Sequence, residues 1–156
     1  CYFMKKIIDI IKNIKMFTTK EVALGEGSVT QFTLFECKEL FSIIFYKWNT
    51  IDQVRFHTHA FPAYAFLLRG FYHEKVLTED GEVVDKVVNQ LFKPRFLARN
   101  YCHSIGYAKP STMTMVLVGR WSKQWKEYFP DTNTWITYEW GRKKVSKKVS
   151  NLNEKD

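Results

Sequence analysis

The stretch "RFHTHAFPAYAFLLRG", residues 55–70, holds two of the chain's four histidines one residue apart, ahead of an apolar run that stops at Arg69-Gly70. A short run of aromatic and aliphatic residues with this boundary predicts a β-strand. Side chains two positions apart on a strand point the same way, so His57 and His59 share a face. Their Cα atoms are then about 6.6 Å apart. Two imidazoles at this separation can converge on one metal ion, with about 2.0–2.1 Å from each nitrogen to the metal.

The rest of the chain also favours strands. From residue 28 onward the pattern has a period of two, and the separators "NTID", "TEDGE", "KPRF" and "AKPS" are typical of turns. Asp80-Gly81 lies between two β-branched runs and is the best hairpin signal. Seven or eight such strands with no helix between them predict an all-β fold, an antiparallel sandwich or barrel.

Helices are expected at the two ends of the barrel. "MKKIIDIIKNIKMF", residues 4–17, has isoleucines at helical spacing and predicts an amphipathic helix, packed on a sheet or a partner subunit, or lying on a membrane surface. Trp121, Trp125 and Tyr128 are spaced for a short Trp-rich helix that closes the barrel. The expected organisation is a helical segment at 1–24, with 1–3 an appended remnant before Met4, a barrel at 25–140 and a basic, flexible tail at 141–156.

Charge and cysteine content narrow the class of protein. The net charge is +8, of which +4 lies in residues 141–156. A solvated terminus is the simpler reading of this tail, and contact with nucleic acid or an anionic membrane is the alternative. Three cysteines without metal-motif spacing imply no disulfide framework and fit a reducing cytoplasm. No signal peptide or membrane-spanning run is recognisable.

A third histidine completes a known pattern. "HTHAFPAYAFLLRG" resembles the first motif of the cupins, with His57, His59 and Gly70 on its His-x-His and glycine positions. "ARNYCH" resembles the second motif, with His103 on its histidine and Asn100 in place of a glycine. The resemblance runs from about residue 29 to 121. It implies a jelly-roll barrel, or double-stranded β-helix, in which the three histidines bind a metal ion.

The chain departs from the cupin pattern at one ligand. Ala63 stands at the position of the motif's glutamate, which leaves a three-histidine set. Such a set resembles the ligands of the thiol dioxygenases, which are also cupins, and it implies Fe(II). By its chemistry it also suits zinc, while manganese or nickel stay possible. A cluster of hydrogen-bonded structural histidines without metal is the alternative.

Strand parity suggests what surrounds the histidines. Arg55 shares a face with His57, Arg69 lies on the face of Ala63, and Tyr101 lies on the face of His103. We predict that Arg55 and Arg69 bind a small anionic substrate, unless they pair with acidic residues at the barrel rim. Tyr101 is a candidate catalytic residue. Cys102 should point into the apolar layer as a packed thiol.

Several functions fit this arrangement. The first is a mononuclear Fe(II) oxygenase acting on a small anionic organic substrate. The second is a non-catalytic binding module, such as a sensor. The third is a metal-free sugar isomerase or epimerase. The fold alone does not choose among them, and pairing through sheet edges would make a homodimer.

Overall fold

The chain folds into two facing antiparallel sheets in a computed structural model that describes residues 2–24, 27–50, 55–139 and 143–149. The first sheet has the order β1-β2-β3-β10-β5-β8. Its strands are β1 (Lys15–Leu24), β2 (Gly27–Glu36), β3 (Ser42–Thr50), β5 (Ala63–Arg69), β8 (Arg95–Leu97) and β10 (Met113–Val118). The second has the order β13-β12-β11-β4-β9-β6-β7. Its strands are β4 (Phe56–His57), β6 (Tyr72–Leu77), β7 (Val83–Val88), β9 (Cys102–Ala108), β11 (Gln124–Phe129), β12 (Thr134–Glu139) and β13 (Lys143–Val149).

The hydrophobic core lies between the two sheets and follows from alternation along the strands. On β5, Ala63, Ala65 and Leu67 are buried, whereas Tyr64 is exposed. Both sheets therefore offer one apolar face, which they bury against each other. The largest core cluster contains Val29, Trp48, Leu67, Tyr72, Val88, Ile105 and Ala108. The predicted all-β architecture is confirmed.

Two glycines occupy positions that require them. The predicted hairpin at Asp80-Gly81 joins β6 to β7, and Gly81 has a φ of 81° in the left-handed region. Gly70, the motif glycine after β5, has a φ of 82°. A Cβ at Gly70 would overlap the Thr112 hydroxyl and come within 3.0 Å of the Thr112 Cα. The chain can therefore turn out of β5 only with a glycine at this position.

The N-terminal helix is shorter than predicted. Helix α1 spans Tyr2–Lys12, and residues 15–24 form β1. The helical pattern continues to residue 17, but β1 pairs with β2 over nearly their whole length, and this pairing places residues 15–17 in a strand. The apolar side of α1 is not covered, since Ile7 and Ile11 are 37% and 60% exposed. None of the helices in the described ranges is long and apolar enough to cross a membrane.

The prediction of a Trp-rich C-terminal helix is wrong. Trp125 and Tyr128 lie on β11, which pairs with β12 on one side and β4 on the other. Only a short 3-10 helix, Pro130–Thr132, occurs nearby. Three aromatic residues at this spacing fit a strand as well, and hydrogen bonds to two neighbours decide in favour of the strand. Residues 143–149, expected in a flexible tail, form β13 on the edge of β12. The remaining tail positions 141–142 and 150–156, like Cys1 in the expected remnant, lie outside the described residues.

Candidate metal centre

Three histidines from adjacent parts of the second sheet meet at one point. His57 on β4 and His103 on β9 are direct partners across the two strands. His59 lies two residues beyond His57, where its backbone N–H donates to the Arg99 carbonyl at 3.2 Å. One ring nitrogen from each histidine lies within 4.8 Å of the others, an arrangement that could hold a metal ion. The predicted convergence of His57, His59 and His103 is present.

Hydrogen bonds fix which nitrogen of two rings is available. The Nδ1 of His57 lies 2.9 Å from the Arg55 carbonyl oxygen, and the Nδ1 of His103 lies 3.0 Å from Glu74 Oε2. Both acceptors require a proton on Nδ1, which leaves Nε2 with a free lone pair. The Nε2 of His103 lies 3.0 Å from the Nε2 of His59. Partners on the far nitrogen are the usual way in which a protein orients a metal-binding histidine.

The environment of the site favours neutral imidazoles. Burial, reinforced by the nearby His103 and opposed by the hydrogen bond to the Arg55 carbonyl, lowers the pKa of His57 to about 4. Burial also places the pKa of His59 well below its ordinary value, with the nearby His57 and His103 acting in the same direction. Metal ions bind the neutral form of histidine. These two rings are therefore ready to act as ligands at neutral pH.

The histidines form part of the wall of a cavity between the sheets. Its volume is about 210 Å³. The other wall residues are Val22, Val29, Gln31, Tyr46, Trp48, Phe61, Ala63, Ala65, Tyr72, Leu97, Ile105, Thr114 and Val116. Within the described part of the chain, this wall contains no lysine, arginine, aspartate or glutamate. The three imidazoles thus face a small, largely apolar space, and Ala63, which stands at the position of the cupin motif's glutamate, lines it.

A buried carboxylate supports His103 from behind. Glu74 on β6 is 1% exposed, and its Oε2 accepts the bond from His103. Its Oε1 accepts a hydrogen bond from the Tyr101 hydroxyl at 2.9 Å and also contacts the Arg95 guanidinium. Arg95 in turn donates to the Tyr72 hydroxyl at 2.6 Å. A buried charge is tolerated only when it is paired and hydrogen-bonded, and Glu74 meets both conditions.

The balance of these contacts keeps Glu74 ionised. Burial alone would raise the pKa of Glu74, but the bonds from His103 and Tyr101 and the charge of Arg95 outweigh it, and the net pKa is lowered. Burial and the same carboxylate raise the pKa of Tyr101. An ionised carboxylate on Nδ1 increases the electron density of an imidazole and strengthens it as a ligand.

The structure does not bring the two predicted substrate-binding arginines into the cavity. Arg55 is exposed, and its Nη1 lies 3.8 Å from Oε2 of Glu127. This is the pairing with an acidic residue that was the alternative to substrate binding. Arg69 is exposed because β5 contains one extra residue opposite β10: Leu67 pairs with Thr114 and Arg69 with Met113. This bulge at Leu68 reverses the parity, so Arg69 points away from the face of Ala63.

The remaining candidates fall into place around the site. The Tyr101 ring packs 5.2 Å from the His103 ring, but its hydroxyl is bound to Glu74 rather than directed into the cavity. Tyr101 therefore contacts the histidine site through its ring and through Glu74. Cys102 is a packed thiol, as predicted, in a cluster with Phe56 and Tyr128. Burial raises its pKa to about 12.

Sequence reasoning missed most of the support behind His103. Glu74 does carry a signal in the sequence, because an acidic residue between two inward positions, Tyr72 and Val76, indicates a buried charge. Arg95 has no comparable signal. Its strand is three residues long, and it reaches Glu74 from the other sheet. Only the packing of the two sheets brings this pair together.

The fold and the three-histidine group define the class: the chain has the cupin fold, a double-stranded β-helix with a potential metal site on the inner side of one sheet. No protein-family model and no curated protein matches the chain.

Solved structures of oxalate decarboxylase superpose on this chain. Oxalate decarboxylase of Bacillus subtilis at pH 4.6 superposes with a TM-score of 0.52 at 13% identity, over 81% of this chain and 31% of that one. A structure of the same enzyme that describes its substrate binding mode gives 0.53 at 14% identity, also over 81% and 31%. A third, which concerns its Mn(II) centres, gives 0.52 at 14% identity over 70% and 29%. The chain spans about three tenths of these neighbours, and the likeness concerns the fold.

Proposed function

We propose that the protein is a mononuclear metal-binding cupin in which His57, His59 and His103 hold one divalent ion. The convergence of three ring nitrogens at the wall of an internal cavity carries the proposal. The bonds on Nδ1 of His57 and His103 support it, because they direct Nε2 to the common point. The lowered pKa values of His57 and His59 support it as well, since the rings need no deprotonation before they bind a metal.

The spacing of the donors does not by itself select the ion. With metal–nitrogen bonds of about 2.0–2.1 Å, two nitrogens in a tetrahedral site would be about 3.4 Å apart, and two at a right angle about 2.9 Å apart. The Nε2 atoms of His59 and His103 are 3.0 Å apart. This separation is also that of a hydrogen bond between the two rings, and the three donor atoms are only within 4.8 Å of one another, so the choice among Fe(II), Mn(II), Ni(II) and zinc falls to metal analysis.

The activity that we infer is that of an Fe(II) oxygenase acting on a small organic substrate. A ferrous ion with three protein ligands supplies redox chemistry with dioxygen and leaves positions for the reactants. The protein's own residues hold the ion, and the apolar wall around Trp48, Leu97 and Ile105 limits access of water. Among the described residues, the cavity wall carries no cationic side chain that could hold an anionic group of the substrate. The neighbours named for oxalate decarboxylation and Mn(II) centres support a small anionic substrate and make manganese the second metal to test.

A non-catalytic binding module is the second candidate, and one observation favours it. The nearest groups able to move a proton are already engaged: Glu74 with His103 and Arg95, and Tyr101 with Glu74. Burial raises the pKa of Tyr72 in the cavity wall to about 12, which further limits proton transfer. The same observation counts against a metal-free epimerase, which needs a free acid or base beside its substrate.

Metal analysis of untagged protein tests the proposal. Protein grown in media replete in iron, manganese or zinc should carry close to one equivalent of metal. His57→Ala and His103→Ala should lose it, while His73→Ala, which changes an exposed histidine on β6, should retain it. Nitric oxide, which binds open positions on ferrous ions, should give an EPR signal in the iron-loaded protein. Metal that stays bound in His57→Ala and His103→Ala would contradict the site. Oxygen uptake on adding candidate substrates separates the oxygenase from the binding module.

A further inference from the structure

A second concavity lies on the other side of the metal centre, on one face of the sheet formed by β11, β12 and β13. Its volume is about 1100 Å³. We call it the basic groove and define it by Thr58, Arg99, Lys126, Trp135, Thr137 and Lys148. None of these residues belongs to the wall of the internal cavity. Among the described residues, the two concavities share His59 alone.

The register of the strands places the groove side chains on one face. Lys126 lies opposite Thr137, and Trp135 lies opposite Lys148. Directly paired residues project from the same side of a sheet, so these four side chains form one surface. Trp135 packs on Tyr128, with ring centroids 4.8 Å apart, and gives the floor a rigid apolar base. Cationic side chains thus stand on two strands around a fixed aromatic ring.

The groove carries an excess of positive charge. Arg99, Lys123, Lys126 and Lys148 line it together with a single carboxylate, that of Glu139. That carboxylate lies 3.3 Å from the amide of Gln124, which donates to it. Among the described residues, no ion pair within 4.0 Å involves Lys126 or Lys148. Uncompensated charges that share a concave surface reinforce one another and attract anions.

The basic groove meets the metal centre at His59. This residue borders both the groove and the internal cavity, and its neighbour Thr58 lines the groove. The backbone N–H of His59 is bound to the carbonyl of Arg99, so one cation of the groove is adjacent in the fold to a candidate metal ligand. One cation that the cavity lacks, and that Arg55 and Arg69 do not supply, therefore lies at this junction, where its guanidinium also donates to the Arg120 carbonyl at 2.9 Å.

We propose that the basic groove binds the anionic arm of the substrate, a phosphate or carboxylate group, while the rest of the substrate extends past His59 into the apolar cavity. This assignment rests on the proposed function for its second half only, because anion binding to the groove needs no metal. A single-stranded nucleic acid fits the surface less well. Such a ligand stacks on a series of exposed rings, whereas Trp125, the other tryptophan at the groove, is stacked on Tyr138, with ring centroids 5.6 Å apart.

Calorimetric titration with inorganic pyrophosphate tests the groove, on the purified protein and again after removal of metal with a chelator. Lys148→Gln and Lys126→Gln should each weaken binding about fivefold, which corresponds to roughly 1 kcal/mol for one charge contact in water. Lys147→Gln is the matched control. Lys147 lies on the same strand and is exposed, but it pairs with Ile136 and projects from the opposite face. It should leave the affinity unchanged, and added salt should weaken binding in every variant that retains it.

The outcomes separate this inference from the proposed function. Equal losses of pyrophosphate affinity in Lys147→Gln and Lys148→Gln would mean that the anion is attracted by net charge alone. That result would refute binding in the groove. Pyrophosphate binding that disappears with the metal would overturn it too, because the ion would then be the anion site. Binding that survives chelation and is weakened by Lys148→Gln but not by Lys147→Gln establishes the groove even if no metal is found. Tighter binding of an oligothymidylate than of pyrophosphate, dependent on the same lysines, would replace the small anion by a nucleic acid.

The link to the cavity has its own readout. With Mn(II) at the three histidines, the phosphorus nuclei of bound pyrophosphate should show enhanced relaxation in ³¹P NMR. At a pyrophosphate concentration below saturation, the enhancement should fall in Lys148→Gln and stay unchanged in Lys147→Gln. Pyrophosphate that binds the groove without any enhancement would place the arm too far from the ion to belong to its substrate, and would refute the connection.

Discussion

Replacing Glu74 by glutamine tests the support behind His103 most directly. The amide has nearly the shape of the carboxylate but carries no charge. In the parent protein one oxygen accepts from His103 Nδ1 at 3.0 Å, and the other accepts from the Tyr101 hydroxyl at 2.9 Å and contacts Arg95. In Glu74→Gln a single oxygen remains, and the amide NH₂ faces groups that are donors themselves. The change therefore weakens three bonds at once.

The expected size follows from these three bonds. A hydrogen bond to a charged group is worth about 1.5–3 kcal/mol and a neutral one about 0.5–1.5, so each bond loses about 1 kcal/mol. The Arg95 side chain is 23% exposed and can turn partly to water, which reduces its share. We expect the free energy of unfolding to fall by about 2–3 kcal/mol. Metal affinity should fall about 10–100-fold, as is typical when the partner of a metal-binding histidine is removed.

Chemical denaturation of the metal-free protein measures the stability, and competition with a chromophoric chelator measures the affinity for Mn(II) or Fe(II). Glu36→Gln is a suitable control. Glu36 is also buried, at 7% exposure, but it pairs with Lys15 on β1, away from the histidines. It should lose stability and keep its metal affinity. The reasoning is refuted if Glu74→Gln binds metal as tightly as the parent, or if both variants lose affinity equally.

Two further predictions concern the turn after β5 and the titration of the site. Gly70→Ala should lower the free energy of unfolding by about 3 kcal/mol or more, from left-handed backbone strain of about 1–2 kcal/mol and the contact with buried Thr112, measured by urea denaturation. A loss below about 1 kcal/mol would mean that the turn can rearrange. The metal-free protein should lose stability as the pH falls from about 6.5 toward 4. An unfolded His57 gains its proton near pH 6.5, whereas burial keeps the pKa of the folded ring at about 4, so the unfolded state binds more protons in this window. His57→Gln should flatten this dependence, and an unchanged slope in that variant would contradict the assignment.

The part of the site that lies along single strands could be predicted from sequence. His57 and His59 share a face by parity, and both belong to the group of three histidines whose ring nitrogens converge. The all-β fold and the hairpin at Asp80-Gly81 followed from alternation and turn chemistry in the same way. Each of these inferences depends on local geometry alone.

The predictions that failed depended on interactions between strands. The side to which Arg69 points is decided by a bulge opposite Met113, which no pattern within β5 records. Trp125 and Tyr128 satisfy helical spacing and strand pairing equally well until β4 and β12 are known to flank them. The charge of residues 141–156 predicted a solvated tail that includes Lys148. Instead, Lys148 pairs with Trp135 and lies on the edge strand β13.

The contact between Glu74 and Arg95 joins the two sheets across the seam where their edges meet. Arg95 lies on β8, the last strand of the first sheet, and Glu74 lies on β6, next to the edge of the second. If the two sheets separated at this side, Glu74 would lose its ion pair with Arg95, and its hydrogen bond to His103 would be weakened at the same time. Seam closure and occupation of the histidine site are therefore thermodynamically linked, and each favours the other by the same free energy. An ion held by His103 would slow amide exchange along β8, although it touches no residue of that strand. Hydrogen exchange in β8 would therefore report whether the histidine site is occupied.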